Sequence, residues 1–387
     1  MYRLAIKMLM GDTAKYLGLI FAIASSTFLI AQQVSIFTGL MDRTTSQIKD
    51  VAEASIWVMD PGVRYIDEIR SLPDNAVSRV RSLPQIDWAV RLYKGFAKVT
   101  TPTTQDVAGG SFRQAILIGL DDATMIGVPR RLFVGTWEAL REPDTIIVDD
   151  QGFASLFPDA PIESAVGRVV EINDRRARIV GVCRPSPPFA TFPVVYTRYS
   201  LAMTFVGRER NTMSFVVARQ RAGVSVEEAC RAIEEATALT ALPSRVFAWR
   251  TIWFYVNNTG IPVNFGITIV TAIVVGAVIS GQTLFLFVSD NLKHFASLKA
   301  IGAGDALLAR LVLAQALLVA LVGLGVGLGA TAVFFSATTD IPKLRGFVLH
   351  AEVAAGAGVL VLVVTMSASL VALRRVVRVE PGVVFRG

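Results

Sequence analysis

The chain is poor in the residues from which most catalytic and metal sites are built. It has two histidines and two cysteines in 387 residues, and neither histidine lies at a spacing typical of metal ligands. It contains neither a Gly-x-x-x-x-Gly-Lys-Ser/Thr loop for nucleotide phosphates nor a Gly-x-Ser-x-Gly nucleophile motif. These absences argue against a metalloenzyme, an ATPase or a serine hydrolase. We predict no catalytic residue, cofactor site or metal site in this chain.

Charged residues are also scarce, and their absence is concentrated. They make up 18% of the chain, against about 25% in soluble domains, and four stretches contain none: 16–41, 261–289, 311–339 and 353–373. About 20 apolar helical residues span the hydrocarbon core of a bilayer, so each stretch is long enough to cross. The lack of ionisable residues in them argues against an ion-coupled carrier. The sequence predicts a polytopic α-helical membrane protein with four transmembrane helices, one before and three after a large α+β extracytoplasmic domain.

The excess positive charge lies on one side of the predicted spans. With a cytoplasmic amino terminus, the inner segments carry ten cations and four acids, net +6, and the outer segments carry 28 cations and 27 acids, net +1. Because Lys and Arg favour cytoplasmic loops, the large domain is predicted to face outward, and no nucleic-acid partner is predicted. The predicted segments are 1–15 (cytoplasmic interfacial helix), 16–41 (transmembrane helix 1), 42–260 (periplasmic domain), 261–289 (transmembrane helix 2), 290–305 (cytoplasmic loop with a short helix), 306–339 (transmembrane helix 3), 340–352 (short periplasmic loop), 353–373 (transmembrane helix 4) and 374–387 (cytoplasmic tail).

Two features of the amino-terminal region leave alternatives. Arg3 and Lys7 lie four residues apart among apolar residues, which favours a helix on the inner membrane surface; the alternative is a loose end before the first span. The first apolar run continues to Met41. It is therefore longer than the apolar region of a cleaved signal peptide, and we expect a retained anchor helix.

The segment 42–260 alternates short strand-like and helix-like runs, which is typical of an α+β fold. We expect two lobes, one near 50–115 with 210–245 and one near 116–205. Cys183 and Cys230 both lie in this segment, where a disulfide is permitted; spacing alone leaves a bridge and two separate buried thiols open. Near its end an aromatic cluster is predicted to lie at the membrane head groups. The cluster comprises Trp249, Trp253, Phe254 and Tyr255.

The loop 290–305 has the pattern of a short amphipathic helix. Asp290 is predicted to cap it, Gly302 to end it in the left-handed conformation, and Asp305 to cap the next span. Its apolar stripe consists of Leu292, Phe295, Leu298 and Ile301. By these features alone, the helix either lies on the lipid surface or docks on a cytosolic partner.

This loop also carries a family resemblance. The run Phe295-Ala-Ser-Leu-Lys-Ala-Ile-Gly-Ala303 resembles the loop of FtsX/MacB-type permeases of ABC transporters, and the tail Ala372-Leu-Arg-Arg375 with Val379-Glu-Pro381 resembles theirs. Val166-Gly-Arg-Val and Arg178-Ile-Val-Gly-Val182 resemble a segment of the MacB-type outer domain. The layout of one helix, a large domain and three helices is also similar. The fuller run from Val288 to Gly302 looks closest to the DevC-like branch.

The resemblance implies a permease subunit of a tripartite ABC exporter in a bacterial inner membrane. It implies a homodimer that works with a cytosolic ABC ATPase dimer, a periplasmic membrane-fusion adaptor and a TolC-like outer-membrane channel. ATP and Mg would be bound in the partner ATPase and not in this chain. The implied alternatives are a lipoprotein-releasing permease and an FtsX-like signal transducer that controls a periplasmic hydrolase.

Two sets of site residues follow from this resemblance. The ATPase-coupling loop would consist of Leu292, Lys293, Phe295, Leu298, Lys299, Ala300, Ile301, Gly302 and Ala303. Phe189 and Phe192, in the Pro-rich run 185–193, would contact the adaptor; a rigid connector is the alternative for that run. The transported substrate is not predicted.

Overall fold

A computed structural model describes residues 13–101, 112–206, 213–339, 341 and 344–377. The predicted interfacial helix at 1–15 and tail at 374–387 fall mostly outside these residues. The chain forms two compact units. The membrane unit comprises the residues up to Leu40 and those from Gly260, and the outer domain comprises Met41–Thr259.

The helices of the described chain are α1 (Thr13–Arg43), α2 (Ser46–Asp50), α3 (Ala76–Arg81), α4 (Asp150–Leu156), α5 (Tyr199–Phe205), α6 (Val226–Thr237), α7 (Ser244–Asn258), α8 (Ile261–Asp290), α9 (Leu292–Ala300), α10 (Asp305–Thr338) and α11 (Ala351–Val377). The strands are β1 (Ile56–Met59), β2 (Ile86–Thr100), β3 (Phe112–Leu120), β4 (Leu132–Gly135), β5 (Thr145–Asp149), β6 (Val169–Ile172), β7 (Arg175–Cys183), β8 (Val194–Arg198), β9 (Phe215–Gln220) and β10 (Thr240–Pro243).

Four helices of the described chain are long and apolar enough to cross a membrane. These helices are α1, α8, α10 and α11, one before the outer domain and three after it in the sequence. The predicted fold class, four apolar helices with a large domain between the first and the second, is therefore confirmed.

Glycines allow α1 and α10 to pack closely in the membrane unit. A Cβ atom on Gly323 would lie 2.7 Å from Cβ of Ile23, and one on Gly327 would lie 2.5 Å from the carbonyl oxygen of Ala24. A Cβ on Gly325 would meet nothing within 4 Å. Because small residues at a helix contact let two backbones approach, Gly323 and Gly327 set the distance between these two helices.

The outer domain is built on one ten-stranded sheet. The strand order is β10-β1-β9-β2-β3-β8-β5-β7-β4, and β6 pairs with both β2 and β7. Most neighbours are antiparallel, but β3 with β8 and β5 with β7 are parallel. The strand β1, which comes first in the sequence, lies between β9 and β10, which are the last two strands of this domain.

The two predicted lobes share this sheet because β2 runs through both. Its first half, from Ile86 to Leu92, pairs with β9, and its second half, from Tyr93 to Thr100, pairs with β3. The strands β6 and β7 form a hairpin, and both of its turn residues, Asn173 and Asp174, have positive φ. The full length of β2 was not predicted.

Both cysteines are free and buried. Cys183 lies in the same apolar core as Trp57, whereas Cys230 lies in the core that packs α3 and α6 against the sheet. Of the two alternatives left open by the sequence, the structure has two separate buried thiols.

Candidate functional site

Two short helices form the ends of the outer domain. Two residues separate α1 from α2, and two separate α7 from α8. The helices α2 and α7 contact each other, and Ile48 of α2 and Phe247 of α7 share one apolar core with Trp57 of β1. The rings of Trp57 and Phe247 have centroids 5.7 Å apart. The two segments that lead to the apolar helices are therefore packed directly into the core of this domain.

Asp67 joins α7 to the sheet through both of its carboxylate oxygens. Its Oδ2 accepts a 2.7 Å hydrogen bond from the Tyr255 hydroxyl of α7. Its Oδ1 forms an ion pair with Nζ of Lys94 in β2, which also donates to the Ile66 carbonyl at 3.1 Å. We call Lys94, Asp67 and Tyr255 the Asp67 clamp.

Lys94 is the most deeply buried member of the clamp, and Asp67 is partly exposed. The Lys94 side chain is only 2% exposed. Burial lowers the pKa of Lys94 from its ordinary value, and the neighbouring Asp67 carboxylate opposes this change. Burial raises the pKa of Tyr255, and the Asp67 carboxylate raises it further. The phenol is therefore protonated over the physiological pH range and serves as the hydrogen-bond donor.

Aromatic rings surround Tyr255, and two of the four residues predicted to lie at the head groups take part in this packing. Phe254 stacks on Tyr65 with ring centroids 3.9 Å apart, and the Tyr255 ring lies 4.6 Å from that of Phe189. These two members of the predicted cluster pack within the outer domain, because α7 continues this domain up to Asn258. Trp249 and Trp253 are more than half exposed.

Asp50, the last residue of α2, holds the Pro-rich run 185–193. Its carboxylate accepts hydrogen bonds from the Ser186 backbone N–H at 3.1 Å and from the Ser186 hydroxyl at 2.6 Å. Burial raises the pKa of Asp50, and the two bonds from Ser186 oppose this rise. Phe189 and Phe192 are half-buried, and Phe192 packs on Phe96 with centroids 5.9 Å apart. This packing favours the connector alternative; an adaptor contact stays a prediction.

In the membrane unit, α9 ends as predicted, at a left-handed Gly302. The φ angle of Gly302 is +100°. Its N–H donates to the Lys299 carbonyl at 3.0 Å, and the N–H of Ala303 donates to the Leu298 carbonyl at 3.0 Å. These two bonds form a Schellman motif, which satisfies carbonyls at the end of the helix. Lys299 also forms a 2.9 Å ion pair with Asp305. The turn into α10 is therefore held both by backbone hydrogen bonds and by this ion pair.

Three expectations about this loop are corrected. Asp290 belongs to α8, and the N-cap of α9 is Asn291, whose side chain makes no capping bond. Asp305 is the first residue of α10, with Gly304 as the N-cap. The predicted apolar stripe does not stay together: one part is buried in the core of the membrane unit, and the other part is exposed.

Phe295 and Ile301 show this division. Phe295 is fully buried in a core that includes Leu308 of α10, whereas Ile301 is 85% exposed. Leu292, Leu298 and Lys299 are half-buried, and Ala300 and Gly302 are exposed. Among the predicted coupling residues, Phe295 is buried, whereas Ala300, Ile301 and Gly302 are exposed. Contact of this loop with an ATPase stays a prediction.

Metal-ligand groups are not assembled in the described chain. No group of three or more His, Cys, Asp or Glu side chains there is placed to hold a metal ion.

Two family models match the chain. Residues 17–236, more than half of the chain, match the MacB-like periplasmic core domain, and residues 266–381 match the FtsX-like permease C-terminal family. The chain belongs to the FtsX/MacB-type permease family. Members are permease subunits of ABC transporters and are generally non-catalytic. The chain is thus a membrane protein with an extracytoplasmic domain.

Two solved structures are similar to this permease in part. The extracellular domain of YknZ, a noncanonic ABC-type transporter from Gram-positive bacteria, is 12% identical, with 49% of this chain and 98% of that chain covered and a TM-score of 0.34. The periplasmic region of MacB from Actinobacillus actinomycetemcomitans is 14% identical, with 55% and 96% covered and a TM-score of 0.36. Among proteins of curated function, none matches the chain. Family membership therefore rests on the two family models, which do not separate the DevC-like branch from the others.

The Asp67 clamp of this permease was not predicted from its sequence, although one signal for it exists. Val90, Leu92, Lys94 and Phe96 alternate along β2, and all except Lys94 are apolar residues of the same core. A lysine on the buried side of an alternating strand calls for a carboxylate partner. The position of that partner, 27 residues earlier in the chain, has no local signal.

Proposed function

We propose that this chain is the permease subunit of a tripartite ABC exporter in a bacterial inner membrane. A homodimer of the chain works with a cytosolic ABC ATPase dimer, which binds ATP and Mg. The movement of the ATPase is transmitted to the outer domain, which acts in the periplasm with an adaptor protein and a TolC-like outer-membrane channel. The chain itself performs no chemical step.

One observation carries the proposal: both ends of the outer domain are built into its core. The Asp67 clamp ties α7 to β2, and α7 leads into α8 after two residues. At the other end, Asp50 of α2 holds the loop at Ser186. The segments at both ends of the outer domain are therefore held by contacts with its core, and these contacts are the proposed route by which movement of α1 or α8 reaches its strands.

The inner loop supplies the surface for the ATPase. Ile301 is 85% exposed beside Gly302, at a turn held by the Schellman motif and the Lys299–Asp305 ion pair. A rigid turn that presents one large apolar side chain suits insertion into a cleft, because interface energy concentrates in a few buried anchors. Of the two large apolar residues Phe295 and Ile301, Phe295 is buried, so Ile301 is the anchor in this proposal.

The docking experiment compares two exposed isoleucines. Ile301→Asp places a charge in the proposed contact, whereas Ile341→Asp makes the same change on the segment between α10 and α11, where Ile341 is 45% exposed. We expect Ile301→Asp to abolish co-purification of the partner ABC ATPase, and Ile341→Asp to leave it intact. Persistence of co-purification in Ile301→Asp would instead favour a helix that lies on lipid.

A second experiment tests transmission through the outer domain. Tyr255→Phe removes one hydrogen bond of the clamp and keeps the ring. We expect this variant to bind the ATPase and hydrolyse ATP while the efflux of product per ATP falls. Trp253→Phe, a change on the exposed face of the same helix, is the matched control. Unchanged efflux in Tyr255→Phe would show that this hydrogen bond of the clamp is not needed for transmission.

The other family roles give different results. A lipoprotein-releasing permease would co-purify with a carrier protein in place of an adaptor. A signal transducer of the FtsX type would activate a periplasmic hydrolase and would need no outer-membrane channel. Identification of the proteins that co-purify with the full chain distinguishes the three.

A further inference from the structure

A small cavity lies between α2 and the sheet of the outer domain. Its volume is about 20 Å³, which is enough for one water molecule, since a single water requires about 10–15 Å³ on this measure. Its lining includes Gln47 and Asp50 of α2, Trp57 of β1, Lys94 of β2 and Tyr196 of β8. A cavity lined only by apolar side chains stays dry, but this one has polar groups on two sides.

Two of the lining side chains have a buried polar atom that finds no hydrogen-bond partner among the described residues. These atoms are Nε1 of Trp57 and Oε1 of Gln47. Trp57 is only 1% exposed, so bulk water does not reach its indole. The indole N–H can only donate, and the amide oxygen can only accept. A water molecule can do both: it accepts from an N–H and donates to a carbonyl oxygen.

The remaining polar groups complete the surroundings of such a water. Lys94 has three N–H donors, and its two acceptors in the structure are the Ile66 carbonyl and Asp67. The Asp50 carboxylate accepts from Ser186 and has further lone pairs. The Tyr196 side chain, 3% exposed, brings a hydroxyl. Buried waters typically make about three hydrogen bonds, and this lining offers them.

We infer that the cavity is a water-binding site of the outer domain. One ordered water accepts a hydrogen bond from Trp57 and donates one to Gln47, and so joins α2 to β1. The contact between α2 and the sheet is then partly mediated by water. If α1 transmits motion as proposed above, this water lets α2 shift by exchanging hydrogen-bond partners without leaving either buried atom unpaired.

The direct test is a structure of the full chain in a lipid nanodisc at a resolution that shows ordered water. We expect a density peak within hydrogen-bond distance of Trp57 Nε1 and Gln47 Oε1. A cavity without such a peak overturns the inference.

A substitution gives an independent test, because the two possibilities predict opposite signs. Gln47→Met nearly conserves the side-chain shape and removes the polar atom. If water is bound there, the water loses a partner, and the unfolding midpoint of the outer domain falls by about 2–4 °C. If Gln47 Oε1 is unsatisfied, the change removes an unpaired buried atom and the midpoint rises or stays; either result overturns the inference.

Gln114→Met, at an exposed position of β3, calibrates the effect of the same substitution without a cavity. Both tests are read from density and unfolding, not from export or ATPase binding. Failure of the water site therefore leaves the proposed function standing, and failure of export assays leaves the water site standing.

Discussion

The Tyr255 hydroxyl lies 2.7 Å from Oδ2 of Asp67, although 188 residues separate the two in the chain. Tyr255 is on the helix that leads into α8, and Asp67 is bonded to Lys94 in the strand that runs through both halves of the outer domain. The Asp67 carboxylate therefore links α7, the last helix of the outer domain, to β2, its longest strand.

The first prediction concerns the charge buried in this link. Asp67→Ala leaves the Lys94 ammonium buried without its partner, and breaking a buried pair in this way costs about 3–5 kcal/mol. We expect a clear fall in the thermal unfolding midpoint of the full chain. Adding Lys94→Met to Asp67→Ala should recover most of the loss, because no uncompensated charge is left. A double variant as unstable as the single one would contradict this account.

The second prediction concerns pH. Burial raises the folded-state pKa of Asp50 above its ordinary value of 3.8, so ionisation of this carboxyl opposes folding. Its contribution to stability is full below pH 3.8 and is lost as pH rises through the folded pKa. Asp50→Asn keeps an acceptor for Ser186 and does not ionise. We expect the unfolding midpoint of the variant, relative to that of the parent chain, to increase with pH in this window.

The opposite trend, a relative loss of stability in Asp50→Asn as pH rises, would mean that the ionised carboxylate is favoured by its two bonds from Ser186. The comparison needs only unfolding curves of the two full chains in the same detergent across a pH series.

The third prediction concerns the contact between α1 and α10. Gly327→Ala places a Cβ 2.5 Å from the Ala24 carbonyl oxygen, so the helices must separate, at a cost of about 1–3 kcal/mol. Gly325→Ala, two residues away, meets nothing within 4 Å. We expect the first variant to lower the yield of monodisperse protein in size-exclusion chromatography and the second to leave it unchanged. Equal behaviour of the two would refute close packing at Gly327.

The fourth prediction concerns orientation. Ala222 lies at an exposed position of the outer domain, and Ala300 at an exposed position of the inner loop. In cells with a permeabilised outer membrane, a membrane-impermeant thiol reagent should label Ala222→Cys and should not label Ala300→Cys until the inner membrane is opened. Labelling of Ala300→Cys from outside would contradict the predicted topology and favour the opposite orientation.

The native thiols give little background in that experiment. Cys183 and Cys230 are buried, and burial raises the pKa of Cys230 to about 12 and that of Cys183 well above its ordinary value. The thiolate is the reactive form, so both native cysteines should react only after denaturation.

The membrane helices could be predicted from sequence because their signal is local. A charge within the hydrocarbon core is costly, so charge-free runs such as 311–339 mark spans directly, and α10 adds only the six residues 305–310, which include Asp305 and Arg310. The left-handed end of α9 was equally local, since Gly302 follows the last helical residues and few other residues adopt its φ angle.

The candidate site could not be predicted in the same way. Asp67 and Tyr255 come from segments far apart in the chain, and nothing in the spacing of either indicates the other. Tyr255 has the amphipathic character of interfacial aromatics, and the same character suits it to a partly polar core. Phe295 fits an exposed amphipathic stripe by its spacing, but it is buried in the core of the membrane unit, which also includes Leu308.

The position of β1 also constrains how the protein is made. Its two neighbours in the sheet, β9 and β10, are encoded more than 150 residues later than β1 itself. At synthesis rates of about 5–20 residues per second, β1 waits roughly 10–40 s for its partners. By then α1 has left the ribosome, so the nascent segment after it reaches the far side of the membrane with an apolar strand still unpaired. The outer domain is therefore prone to aggregation during this interval. We expect the yield of folded protein to respond to extracytoplasmic chaperones more than to cytosolic ones.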